Sequence, residues 1–241
     1  MLSGDWSSDV CSSDLRAAAA TPRPRSADRP GSDPARDPPT FRRDLAPPCR
    51  YHAPMRPPDR RVLLALLILA LASRLVWALW IHPTTDYVFR DMKGYIDNAR
   101  WLVEHPLTPH HWLAFQAWGT HTLLALPLAI FGVHDLLPAA ILWACFAAAA
   151  VPLIYLLACR VCTRPWLPPL VGVAALLWYP NLVNSGLFLA EAPLLCFLTA
   201  ATWRLVVLLQ DGRGALGCGL LAAVCIALRP ETLIFFTLAL L

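Results

Sequence analysis

The chain has 241 residues, of which 57% are hydrophobic and 15% are charged, and its formal net charge is +4. A soluble domain rarely reaches such apolarity, so the composition excludes an ordinary globular enzyme and indicates a polytopic membrane protein. The small positive charge comes from arginines near apolar segments, which are typical topology signals, and it does not predict a nucleic-acid partner.

Residues 1–54 are predicted to be an artefactual or disordered extension. The stretch GDWSSDVCSSDL resembles the translation of a common sequencing adapter, and the arginine- and proline-rich stretch after it has almost no apolar periodicity. Met55, followed by RPPDRR and an apolar run, is a convincing start. The chain stops at Leu241 within another apolar run, so we expect residues 55–241 to be the N-terminal part of a truncated transmembrane domain.

An apolar run from Val62 to Ile81 is long enough to cross the hydrocarbon core of a bilayer. Arginines precede this run and tryptophans lie near its far end, which predicts that its N-terminal side is cytoplasmic. The polar segment that follows carries Asp86, Asp91 and Asp97. These carboxylates are therefore expected at the extracytoplasmic surface, where an ionisable group is costly unless it has a task.

The segment Asp91–His105 is predicted to be an amphipathic helix that lies along the membrane interface. Its apolar residues recur at helical spacing and form one stripe. At about 100° per residue, Asp91 and Tyr95 fall at one edge of this stripe, whereas Asp97 points away from it. Asp91 is thus the better candidate for chemistry, with an N-cap role as its structural alternative.

Four further spans and the start of a fifth are predicted by apolar runs: Leu136–Cys159, Trp166–Val183, Ala192–Leu209, Leu216–Leu228, and a run beginning near Thr232. Arginines between these spans, at Arg160, Arg164 and Arg213, predict cytoplasmic loops. This topology requires that Leu113–Val133, which contains Pro127, does not cross, so we expect an interfacial or re-entrant helix there. If that segment does cross, every later loop is inverted.

With this topology, three polar clusters share the extracytoplasmic face: residues 86–104, 181–191 and 229–231. Convergence of separate polar clusters on one face is what an active site at a membrane surface requires.

Three short motifs occur along the chain in a familiar order. The first loop reads D-x-x-x-Y-x-x-x-A from Asp91 to Ala99, the sequence N-S-G-L-F-L-A-E ends at Glu191, and L-R-P-E contains Arg229. This order resembles the GT-C fold integral-membrane glycosyltransferases that use polyprenyl-phosphate sugars, including protein mannosyltransferase and aminoarabinose transferase relatives. The resemblance covers residues 60–241. It implies an all-α, polytopic transmembrane helical bundle with the interfacial helix in the first extracytoplasmic loop.

The resemblance also implies a reaction, in which a sugar passes from a polyprenyl-phosphate donor to an acceptor hydroxyl on a glycan, lipid or protein. Asp91 would be the general base and Arg229 would face the phosphate, while Tyr95 and Glu191 would contact substrate. Many family members carry an Asp-Glu pair in the first loop, whereas Met92 follows Asp91 here. That difference leaves the acceptor class open. No cofactor is implied with certainty, and dependence on a divalent metal is also open.

Each candidate residue has a structural alternative. Arg229 can snorkel to lipid headgroups, and Glu191, close to Pro193, can mark the start of a helix. For the whole chain, the alternatives are a polytopic transporter or lipid flippase and a non-catalytic membrane subunit. The glycosyltransferase hypothesis predicts a multi-pass protein of the plasma (inner) membrane with its active face on the extracytoplasmic side.

Overall fold

A computed structural model describes residues 57–106, 108 and 117–240 of the chain. Within these residues the structure is helical and has no strand, which confirms the all-α prediction for this part. The predicted extension, residues 1–54, lies outside them. The helices are α1 (Arg60–Val76), α2 (Asp91–Glu104), α3 (Trp118–Phe131), α4 (Leu137–Val161), α5 (Leu167–Leu177), α6 (Tyr179–Asn184), α7 (Glu191–Asp211), α8 (Ala215–Leu228) and α9 (Thr232–Leu240).

Three helical segments in the described residues are long and apolar enough to cross a membrane: Arg60–Asp86, Leu137–Val161 and Glu191–Asp211. The first consists of α1, the π-helical turn Trp77–Ile81 that continues it, and the 3-10 turn Thr84–Asp86. The segments match the predicted spans that begin at Val62, Leu136 and Ala192. The predicted span Leu216–Leu228 corresponds to α8, whose 14 residues extend about 21 Å, less than the hydrocarbon thickness of about 30 Å.

The predicted span Trp166–Val183 is wrong as one continuous helix. α5 ends at Leu177, Trp178 has an extended backbone with ψ 101°, and α6 begins at Tyr179. The next residue, Pro180, has no N–H to donate to the carbonyl four residues earlier, that of Leu176. A continuous helix through this point would therefore leave that carbonyl without its normal donor.

Arg74 of α1 supplies the missing donor. This arginine is fully buried, and its Nη2 donates to the Leu176 carbonyl at 2.9 Å, while its Nη1 donates to the Ser73 hydroxyl at 2.8 Å. A cation at the C-terminal end of a helix also interacts favourably with the helix dipole. Arg74 therefore stabilises the break between α5 and α6. The side-chain amide of Asn181 in α6 also donates a hydrogen bond to the Ala147 carbonyl of α4 at 3.0 Å, which connects α6 to α4.

Two ends of the helix bundle can be distinguished by contacts between helix termini. The backbone N–H of Asp59, just before α1, donates to the Tyr155 hydroxyl near the end of α4 at 3.0 Å. Arg160 at the end of α4 forms an ion pair with Asp211 at the end of α7 at 3.3 Å. α1 therefore runs antiparallel to α4, and α4 runs parallel to α7. We call this end the Arg160 end, and the opposite end, where α8 finishes, the Arg229 end.

Both ends of α3 lie at the Arg229 end of the bundle. Gly119 in its first turn packs against the backbone of Ala227 and Leu228 at the end of α8. Val133, just after α3, accepts a hydrogen bond from Arg100 Nε of α2 at 3.0 Å. α3 thus does not run through the bundle to the Arg160 end. The interfacial or re-entrant helix expected for Leu113–Val133 stays a prediction, and residues 113–116 of that segment lie outside the described part.

Candidate functional site

The predicted apolar stripe on α2 is the surface by which this helix is anchored. Met92, Ile96 and Ala99 are fully buried and belong to one cluster with Leu124 and Leu128 of α3. The amphipathic pattern of the segment is therefore confirmed. Since the stripe is fixed against α3, the residues along its edge have defined positions relative to the rest of the bundle.

Asp91 is the first residue of α2 and its side chain is exposed. The N-cap position is occupied by Arg90, so the alternative that Asp91 is the N-cap is wrong. Arg90 has φ 43° and ψ −120°, and the Met92 N–H donates to the Phe89 carbonyl at 3.1 Å. This is the geometry of a type II′ turn, which normally has glycine at the position of Arg90. The residue that precedes the candidate base therefore has a strained backbone.

Asp97 behaves as the sequence predicts. Its side chain is exposed and forms an ion pair with Arg100, one turn later on the same helix, at 3.8 Å. It does not affect the pKa of Tyr95, whereas Asp91 does. The two aspartates of α2 therefore have different surroundings, and Asp97 is a natural control for Asp91.

Arg229 and Glu191 form an ion pair between α8 and α7. α8 ends at Leu228, and Arg229 continues in an extended conformation (φ −148°, ψ 106°) before Pro230. Glu191 lies in the first turn of α7, which agrees with the alternative that it marks the start of a helix. Its carboxylate accepts a hydrogen bond from Arg229 Nη2. Both side chains are partly exposed, 45% for Arg229 and 35% for Glu191. Such a pair contributes little to stability, less than about 1 kcal/mol, and leaves guanidinium donors for another partner.

Tyr95 connects α2 to this ion pair. Its side chain is half-buried against the same cluster as the stripe. Burial raises the pKa of its phenol; the nearby Arg229 charge lowers that pKa, and the carboxylates of Glu191 and Asp91 raise it further. The phenol is therefore neutral at physiological pH and can donate a hydrogen bond. Asp91 and Tyr95 lie one turn apart on α2, and Glu191 and Arg229 form an ion pair between the start of α7 and the end of α8. The charges of Arg229, Glu191 and Asp91 all act on the Tyr95 pKa, so residues of three separate motifs share one electrostatic environment.

Sequence reasoning missed Thr120, in the first turn of α3. It is fully buried, and its hydroxyl forms no hydrogen bond of normal length and angle. The signal that could have found it is its place four residues before Leu124, on a face of α3 that is otherwise apolar.

Together these groups can perform acid–base and anion chemistry. They comprise an exposed carboxylate, a neutral phenol, and a cation held beside a second carboxylate. The described residues include no group of three or more histidine, cysteine, aspartate or glutamate side chains that could hold a metal ion. Because Arg229 already neutralises Glu191, the carboxylates of Asp91 and Glu191 fit a metal ion poorly.

A cavity of about 300 Å³ lies at the Arg160 end, away from these residues. It is lined by the starts of α1 and α5 and the end of α4, and its polar groups include Asp59, Arg164 and the two cysteines Cys159 and Cys162. Both thiols are free. None of the four candidate residues lines this cavity, so it is separate from the candidate site.

Comparison of the chain with protein families, with curated proteins and with solved structures finds no match. The resemblance to GT-C glycosyltransferases therefore remains a hypothesis based on the residues themselves.

Proposed function

We propose that the protein is a membrane glycosyltransferase that moves a sugar from a polyprenyl-phosphate donor to an acceptor hydroxyl. The observation that supports this most directly is the proximity of Asp91, Tyr95, Glu191 and Arg229 at one end of an apolar helix bundle. The transfer needs a base for the acceptor and a cation for the departing phosphate, and this cluster contains both.

Asp91 is the general base in this proposal. The acceptor oxygen attacks the anomeric carbon of the donor sugar, and its proton passes to the Asp91 carboxylate as the new C–O bond forms. The bond between the anomeric carbon and the phosphate oxygen breaks, usually with inversion, and polyprenyl phosphate leaves with the bonding electrons. The exposure of Asp91 at the start of α2 is compatible with an acceptor that approaches from water.

Arg229 stabilises the negative charge of the donor phosphate. A guanidinium has five N–H donors in a planar fork, and Glu191 occupies only part of it. Arg229 follows α8 in an extended conformation before Pro230, and its side chain is partly exposed, so a lipid-linked phosphate could reach it. Glu191 holds this guanidinium in place. The neutral phenol of Tyr95 donates a hydrogen bond to an oxygen of the polyprenyl-phosphate sugar.

The orientation in the membrane is part of the proposal. Arg160 lies in the last turn of α4, and Arg164 and Arg213 lie in the loops after α4 and α7, all at the opposite end from Arg229. By the positive-inside rule, that arrangement supports a cytoplasmic Arg160 end and an extracytoplasmic site. A multi-pass position in the plasma (inner) membrane follows from the same reasoning.

A transporter or flippase is the second candidate function, and one observation favours it. Interrupted helices and buried ionisable residues often mark substrate pathways, and the α5–α6 break beside Arg74 has both features. However, Arg74 donates to the carbonyls exposed by that break, so it already has a structural task.

The proposal is tested with the full chain in nanodiscs and a panel of radiolabelled polyprenyl-phosphate sugars. Transfer of label from any donor to a hydroxyl acceptor would support it, and vesicle uptake or lipid scrambling without transfer would favour the transporter. Polyprenyl phosphate binding tests the role of Arg229. We expect Arg229→Ala to weaken binding about tenfold, the scale of one charge-assisted hydrogen bond at a partly exposed site. Arg213→Ala, at the opposite end, should leave binding unchanged.

A further inference from the structure

The cavity at the Arg160 end lies where two membrane-length helices have their ends. Asp59 is the N-cap of α1 and Cys162 is the C-cap of α4, and both residues line this cavity. α1 and α4 belong to segments that are long and apolar enough to cross a membrane. The ends of such helices lie at the depth of the lipid headgroups, so we expect the cavity at that depth. Asp59 and Arg164 are exposed at its edge, so it is open to the surface.

Two charges of opposite sign line this cavity without pairing with each other. Asp59 carries a carboxylate and Arg164 carries a guanidinium. Within the part of the chain that the structure describes, neither side chain belongs to an ion pair, whereas Arg160 at the same end is paired with Asp211. A recess with a separate anion and cation is complementary to a ligand that also carries both charges.

The side of the cavity near Asp59 suits a cation. The Asp59 N–H donates to the Tyr155 hydroxyl of α4 at 3.0 Å, and its Oδ1 accepts from the Arg61 N–H at 2.8 Å, so its position is fixed. Its second oxygen, Oδ2, has no hydrogen-bond partner among the described residues. The last turn of α4 ends at the same place, and the carbonyl groups of a helix end carry partial negative charge. A cation with several N–H donors would therefore be bound well there.

The side of the cavity near Arg164 suits an oxyanion. Arg164 lies between α4 and α5, and its guanidinium is a planar fork of donors that matches phosphate oxygens. Pro168 and Pro169, in the first turn of α5, also line the cavity and have no N–H. An anion on this side therefore depends on side-chain donors, chiefly Arg164.

We infer that this cavity binds the headgroup of a phosphatidylethanolamine lipid, with its phosphate on the Arg164 guanidinium and its ammonium on the Asp59 carboxylate. A primary ammonium donates hydrogen bonds to a carboxylate and to helix-end carbonyls, whereas the trimethylammonium of phosphatidylcholine has no N–H. The cavity volume of about 300 Å³ is at the lower limit of ligand sites, about 300–1,000 Å³, and suits a headgroup rather than a whole lipid. Its place at the helix ends favours a lipid over a soluble phosphate ester as the source of this zwitterion.

The first test is native mass spectrometry of the full chain titrated with phosphatidylethanolamine or phosphatidylcholine in detergent. We expect wild type to bind phosphatidylethanolamine about tenfold more tightly, the scale of one charge-assisted hydrogen bond at an exposed site. Asp59→Asn, which keeps a good N-cap, should remove this preference. Arg164→Gln should weaken the binding of both lipids about tenfold, because both carry the phosphate.

Arg213→Gln is the matched control, because it removes a charge from the same end of the bundle outside the cavity lining. It should bind both lipids as wild type does. Equal binding of the two lipids by wild type would overturn the inference, as would equal binding by Arg164→Gln and Arg213→Gln.

The second test uses the two thiols that line the cavity. Cys159 and Cys162 are free, so their alkylation by a hydrophilic maleimide can be followed by mass spectrometry of the peptide that carries both. In phosphatidylcholine nanodiscs, added phosphatidylethanolamine should slow this alkylation in wild type but not in Asp59→Asn. Unchanged alkylation in wild type would contradict the site, and this comparison holds even if a variant fails to insert.

The source of the headgroup is tested with glycerophosphoethanolamine, the soluble form of the same zwitterion. Protection of the thiols by the lipid, without protection by an equal concentration of the soluble ester, would support a lipid site. Equal protection by both would overturn the assignment to a lipid. Neither measurement involves sugar transfer, so the result is independent of the proposed function.

Discussion

A methyl group at position 119 would test the contact that joins α3 to the end of α8. In Gly119→Ala, the new carbon would lie 2.7 Å from the Ala227 carbonyl carbon and 2.8 Å from two further backbone atoms, distances that real side chains do not adopt. Because backbone atoms of a packed helix cannot move aside cheaply, overpacking should cost about 1–3 kcal/mol. The higher helix propensity of alanine returns at most about 1 kcal/mol. We therefore expect a net loss of about 1–2 kcal/mol.

Gly219→Ala is the matched control, because Gly219 lies in α8 with no atom within 4 Å of an added methyl. That variant should gain up to about 1 kcal/mol from helix propensity alone. Stability can be followed by the reaction of the buried cysteines Cys196, Cys218 and Cys225 with a fluorogenic maleimide as denaturant is added. If Gly119→Ala is as stable as Gly219→Ala, then α3 does not contact α8 as described. The position assigned to Thr120 would then also be wrong.

Three further predictions concern the break, the strained turn and the topology. Arg74→Met should destabilise the protein by about 1–3 kcal/mol in the same thiol assay, because it leaves the Leu176 carbonyl buried without a donor, and stability equal to wild type would contradict this. Arg90→Gly should stabilise by about 1 kcal/mol, because glycine adopts φ 43° without strain, and a less stable glycine variant would refute the turn geometry. A cysteine placed at position 164 in a cysteine-free background should react with an impermeant probe only from the cytoplasmic side, and reaction only from outside would invert the proposed topology.

The features that sequence predicted well are those that depend on local composition and periodicity. Apolar length identified the segments that start α1, α4 and α7, and helical spacing identified the buried face of α2. Motif order also selected Asp91, Tyr95, Glu191 and Arg229, which are near one another in the structure. Their roles in catalysis stay predictions.

The features that sequence did not predict depend on distant partners. Pro180 is visible in the chain, but prolines are tolerated within membrane helices when other groups satisfy the freed carbonyls. Here the compensating donor, Arg74, is 102 residues away from the carbonyl it serves. An arginine inside a predicted span was itself a signal for a special role. The burial of Thr120 depends on the packing of α3 against α2 and α8, and its spacing to Leu124 was the one local signal for it.

The most direct test of the proposed function compares sugar transfer from a polyprenyl-phosphate donor by wild type, Asp91→Asn and Asp97→Asn in nanodiscs. If Asp91 is the general base, Asp91→Asn should bind polyprenyl phosphate normally but turn over about 10²-fold or more slowly, the scale of losing such a base. Asp97→Asn, which removes the exposed carboxylate paired with Arg100, should transfer at nearly the wild-type rate. Equal transfer by wild type and Asp91→Asn would contradict Asp91 as the base, and no transfer by the full-length enzyme from any donor would contradict the glycosyltransferase itself.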